Sequence, residues 1–223
     1  IVAIETDDLQ AMTTAQLVAL TTAQMPTLTT AQVVALTSDQ VSSLKTAQLA
    51  SLSTAQIAVI ETDDLVGLST AQIRGLTTAQ VASLTTDQLV SMGTDQVASF
   101  TTAQITALTT KQVVALTTDQ VSSLTTAQIA SLTTAQIAVL ETDDLQAMTT
   151  AQLVAMTTEQ IPTLTTAQVV ALTSDQVSSL KTLQLAALST AQIAAVETDD
   201  FAGLSTAQIL SLTSAQVAAL TTG

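Results

Sequence analysis

The sequence predicts an all-α solenoid of short capped helices, one for every eight residues, and three observations carry that prediction. From Glu5 to Leu220 the chain divides into 27 consecutive octads without insertion or deletion, on the consensus T-T-A-Q-I-A-A-L. Phases 5 and 8 of the octad are always apolar, as at Leu9, Val33, Ile57 and Phe201 for phase 5 and Met12, Leu20, Ile60 and Phe100 for phase 8. Phase 1 is Thr or Ser in most octads, and phase 4 is Gln in all but four, which is the spacing of a helix capping box.

Each element of the octad has a physical reason. The phase-1 hydroxyl accepts from an early backbone N–H while the phase-4 Gln reaches back to the cap. The preceding phase-8 residue and the phase-5 residue stand as the hydrophobic staple across that start. All 18 acids fall at phases 1, 3 or 4, the first turn, where the helix dipole favours negative charge. Gly67, Gly75 and Gly203 fall at phase 7, near the expected helix end, where a left-handed terminating residue is common. Pro26 and Pro162 at phase 6 oppose a full α-turn there, so the helix is expected to be about one and a half turns long and partly 3-10, with phase 2 an alternative cap position.

One continuous helix is excluded by its own geometry. At about 100° per residue, eight residues advance the apolar pair by about 80° beyond two turns, and 27 units would carry it several times round the axis. A helix of six or seven residues is also too short to stand alone, so each must bury phases 5 and 8 against neighbouring octads. Small residues at phases 3, 6 and 7 permit close approach, and three octads per coil is the expected winding. A β-solenoid is the alternative, favoured by Thr, Val and Ile but opposed by the Ala, Gln and Leu content and by the 3-then-5 apolar spacing.

A larger repeat lies above the octad. Residues 5–76 and 141–212 align without gaps at a shift of 136, with 61 of 72 positions identical. The phase runs unbroken from end to end, so the organisation expected over 1–223 is one continuous solenoid. Residue 1 is Ile, already in mid-pattern, and the chain is expected to be a segment of a longer protein.

Composition narrows the function. The chain has no His and no Cys, so the usual general base, the thiol nucleophile and the commonest metal ligands are missing, and an enzyme is not expected. A net charge of −14 repels phosphate backbones, so nucleic acid is not an expected partner. No run approaches the roughly 20 apolar residues of a membrane-spanning helix. The only clusters with ligand potential are four E-T-D-D units: Glu5, Asp7 and Asp8; Glu61, Asp63 and Asp64; Glu141, Asp143 and Asp144; Glu197, Asp199 and Asp200. Three carboxylates within four residues are candidate Ca²⁺ ligands, although they lack the Gly and alternating Asp of a calcium loop. The competing account is that they cap a helix start and complement its dipole. Rows of Thr at phases 1 and 2 raise ice binding as a further alternative, set against their role as caps. Met12, Met25, Met92, Met148 and Met156, all at phases 5 or 8, are expected in the core.

The L-T-T-A-Q-type octads as a whole resemble tracts of very long repetitive secreted or surface proteins of bacteria, of the adhesin or hemolysin-like kind. The resemblance covers the whole chain. It implies an extracellular structural or adhesive role, as a stalk, spacer or filament segment, with self-association or cell-surface partners, and no functional residues carry over from it.

Overall fold

A computed structural model describes residues 4–220. Among the described residues there are twenty-five short α-helices, two 3-10 turns and no strand, so the helical solenoid holds and the β-solenoid does not. Each helix starts at phase 2 and the extended phase-1 residue is its N-cap, as in Thr78–Ser83 with Thr77 at φ −71° and ψ 158°. The Thr77 hydroxyl accepts from the Gln80 N–H at 3.1 Å and Gln80 Oε1 accepts from the Thr77 N–H at 2.8 Å, which completes the capping box.

The phase-7 glycines lie at helix ends, as expected: Gly67 caps Thr62–Val66 and Gly75 closes Thr70–Gly75. No described residue has a positive φ, so the phase-7 glycines are not left-handed terminators. In many octads the phase-8 residue ends the helix by turning extended, as Leu76 does at φ −62° and ψ 142°, and in others the phase-7 residue caps it in the right-handed region, as Gly67 does at φ −72° and ψ −12°. Gly75 is small for another reason: a Cβ there would lie 1.8 Å from the Thr46 Cγ2 of the octad three units earlier. At Pro26 and Pro162 the helix tightens to 3-10 over Met25–Thr27 and Ile161–Thr163, because proline has no N–H to give to phase 2. The octad length survives both prolines, and Met25 and Ile161 remain fully buried.

The chain divides into two compact units, Ile1–Leu116 and Thr117–Gly223. Within the first, helices pack on the helix 24 residues further on, as Thr54–Ile57 on Thr78–Ser83 and Thr78–Ser83 on Thr102–Ala107. Within the second, Thr118–Ser123 packs on Thr142–Ala147, and Thr126–Ser131 on Thr150–Ala155, by the same step. Three octads therefore make one coil in each unit. Phase 5 is the innermost position, with Leu49, Ile105, Ile137 and Leu153 fully buried, and phase 8 lies just outside it. Burying one such side chain stabilises by about 1.5–3 kcal/mol, and the repeated coil-on-coil contact supplies it to helices too short to persist alone.

Candidate functional site

The most regular buried polar feature is a row of phase-4 glutamine amides. Gln80, Gln104, Gln160 and Gln192 are each only 2% exposed, an unusual position for a polar side chain with four hydrogen-bonding demands. The oxygen caps the residue's own helix. The amide nitrogen points to the coil before, where it donates to the phase-5 and phase-8 carbonyls of the octad four units earlier. In the first unit Gln80 Nε2 lies 2.9 Å from Leu49 O and 2.7 Å from Leu52 O, and Gln88 repeats this on Ile57 and Ile60. In the second, Gln160 reaches Ile129 and Leu132 at 3.0 and 2.6 Å, and Gln192 reaches Ile161 and Leu164.

This arrangement answers the main difficulty of short helices. Four N–H and four C=O groups at the ends of every helix lack an internal partner, and in a six-residue helix that is most of the backbone. One glutamine satisfies a donor at its own helix start and acceptors at another helix end. Serines at phase 7 add a third closure, as Ser83 Oγ donates to Gln80 O at 2.7 Å. Sequence reasoning found the capping half of the glutamine's role and missed the half between coils. One signal was available: a capping box accepts Glu as well as Gln, yet phase 4 is Gln outside the four E-T-D-D units and never Glu, which points to a use for the amide donor in those octads.

The E-T-D-D units sit where that row is interrupted. Glu61 and Asp63, Glu141 and Asp143, and Glu197 and Asp199 are exposed, while Asp64, Asp144 and Asp200 are buried at phase 4. The cap glutamates make no side-chain cap bond. Having no amide to donate, the buried aspartates accept instead: Asp64 Oδ1 from Ser38 Oγ at 2.5 Å, and Asp200 Oδ1 from Ser174 Oγ at 2.6 Å, each from phase 2 of the octad three units earlier. Asp144 accepts from Thr118 in the same way, but its Oδ2 is buried with no partner among the described residues. Burial raises the pKa of the Asp144 carboxyl, the Thr118 hydrogen bond opposes the rise, and the nearby Glu141 charge adds to it. In the first E-T-D-D unit Glu5, Asp7 and Asp8 are all exposed. The sequence-adjacent carboxylates of the three inner units are thus separated into outward and inward groups, and among the described residues no three come together as a metal ion requires.

The remaining candidates are simpler. Met25, Met92, Met148 and Met156 are buried and Met12 is partly so. Thr at phases 1 and 2 is mostly exposed, with the phase-1 hydroxyl engaged in capping. The chain is a helical repeat protein whose repeated polar groups bond its own coils to one another. It belongs to the ALTTAQ repeat family, which matches residues 1–38, 57–94, 89–126, 137–174, 152–182 and 193–223. Comparison with curated proteins gives no match.

Proposed function

We propose that this repeat protein works as a mechanical element, a stalk, spacer or filament segment outside a bacterial cell, and not as an enzyme. The single observation that supports this is the amide row: buried polar chemistry is directed at neighbouring coils, octad after octad, in both units. A chain selected for a local reaction needs one place unlike the rest, whereas a spacer needs every place alike. The exposed carboxylates surround that uniform interior with negative charge, which favours solubility and disfavours non-specific association. No described helix is long and apolar enough to cross a membrane.

Electron microscopy of the isolated chain tests the reading. Straight or gently coiled particles of uniform width are expected. A compact globule or a flexible thread overturns it.

A further inference from the structure

One side of the first unit carries a surface unlike its other two. The helices Ser38–Ser43, Thr62–Val66, Thr86–Ser91 and Thr110–Ala115 stack in that order on successive coils. Their phase-6 residues Val66, Val90 and Val114 are 52%, 43% and 43% exposed, and Val34 is the one other exposed large apolar side chain described in this unit. Thr62–Val66 and Thr86–Ser91 each have a packed coil before and after them, so Val66 and Val90 are exposed sideways, away from either end of the array.

The phase-3 residues of the same four helices are Asp39, Asp63, Asp87 and Lys111, all exposed. Over the same stretch the other two sides have Ala31, Ala47, Ala55, Ala71 and Ala79 at phase 3. An acid in the first turn suits the helix dipole equally on any side, so the dipole does not account for three aspartates sharing one. Packed helices lie about 8–10 Å apart, within about one Debye length at 0.1 M salt, so the aligned carboxylates repel one another in the folded chain. Asp63 and Asp87 stand three residues before Val66 and Val90, which makes each pair neighbours on the helix surface.

We propose that this side of the first unit docks a basic amphipathic helix of another protein, its apolar residues on Val66, Val90 and Val114 and its Lys or Arg at Asp39, Asp63 and Asp87. Charge complementarity selects that occupant. A second copy of the chain carries 18 acids and only 4 Lys or Arg, and a phosphate-bearing surface, lipid or nucleic acid, is repelled. Val66 to Val114 covers two helix-to-helix steps, roughly 16–20 Å, the length of about 11–13 helical residues. The inference goes beyond the mechanical reading and does not rest on it.

Calorimetry of the 223-residue chain with a synthetic helix of about 18 residues, Leu along one face and Lys on both flanks, tests it. One peptide per chain is expected, bound more weakly as salt rises, with no binding when Glu replaces the peptide's Lys. Asp39→Asn, Asp63→Asn and Asp87→Asn together should weaken binding about tenfold, and Val66→Ser with Val90→Ser by a similar factor. Asp95→Asn, Asp119→Asn and Asp175→Asn remove the same charge from the first turns of three helices outside this face and should change affinity less than about twofold. Circular dichroism checks that every variant remains helical. No binding, several peptides per chain, or equal losses from the two triple variants overturns the inference. Self-association of the chain that Val66→Ser with Val90→Ser abolishes overturns it too, since a second copy would then occupy the face. Uniform rod-shaped particles in the microscope would in each case leave the mechanical reading standing.

Discussion

Residues 5–76 and 141–212 are nearly the same sequence placed in different surroundings, and they show how much an octad's physics depends on the coils above and below it. Ile73 and Ile209 occupy equivalent positions in the two blocks, yet Ile73 is fully buried and Ile209 is 43% exposed. Gln16 and Gln152 are likewise equivalent. Gln16 is exposed and only caps, whereas Gln152 is buried and spans to Leu124 O at 2.6 Å. Asp8 is exposed and Asp144 is 1% exposed with an unpaired oxygen. Residue type sets what a side chain can do, and the presence of a neighbouring coil sets whether it does it.

The largest test of this comparison is truncation at phase 5. Ile73→Ala should destabilise by about 2–5 kcal/mol, and Ile209→Ala by less than half as much, because no packed cavity is created at the open coil. Chemical denaturation of each variant checks it, and equal losses would break the comparison. Next comes the amide row. Gln152→Ala should cost about 1–3 kcal/mol by leaving buried carbonyls without a donor, and Gln16→Ala only about 0.5 kcal/mol, the value of a cap.

The aspartates sharpen it with a change of sign. Asp144→Asn should stabilise at neutral pH by about 1 kcal/mol, since it removes an unpaired buried carboxylate oxygen, and Asp8→Asn should do nothing measurable. The folded-state pKa of Asp144 is raised above 3.8, so the folded chain holds its proton more tightly than the unfolded chain. The destabilising effect of Asp144 therefore grows as pH rises from 3.8 through the folded-state value, and the advantage of Asn shrinks on acidification towards and below 3.8. Thermal melts across that window follow it; a constant difference at all pH values contradicts the assignment.

The smallest effect concerns two of the eleven differences between the blocks. Ala47 and Arg74 in the first correspond to Leu183 and Leu210 in the second, which are 70% and 80% exposed on stacked helices. Restoring Ala at 183 and Arg at 210 should move stability by no more than about 0.5 kcal/mol, while lowering the binding of a hydrophobic dye.

Much of the fold was legible before any coordinates. Thr77 and Gln80 announced the helix start, and Leu49 and Leu52 the buried pair, because each acts within one octad through backbone geometry; a partly 3-10 helix was expected of the octad in general, and among the described residues 3-10 turns occur only at Pro26 and Pro162. The winding of three octads per coil agrees with the expectation, although the sequence offered only slender support for it. Gly75 was read as a helix end and is one, and the structure adds that its missing Cβ leaves room for Thr46, a residue 29 positions away.

By itself, then, the sequence determined where helices begin, which two side chains of every eight are buried, and that the chain repeats without a break. Local hydrogen bonding and apolar spacing suffice for those. Tertiary structure alone decided that Gln80 serves two helices, that Asp64 turns inward to Ser38 while Asp63 stays in water, and that Asp144 retains a bare oxygen. Those outcomes require a partner 24 to 31 residues away, and only the stacking of coils brings such distant backbone and side-chain groups within hydrogen-bonding reach.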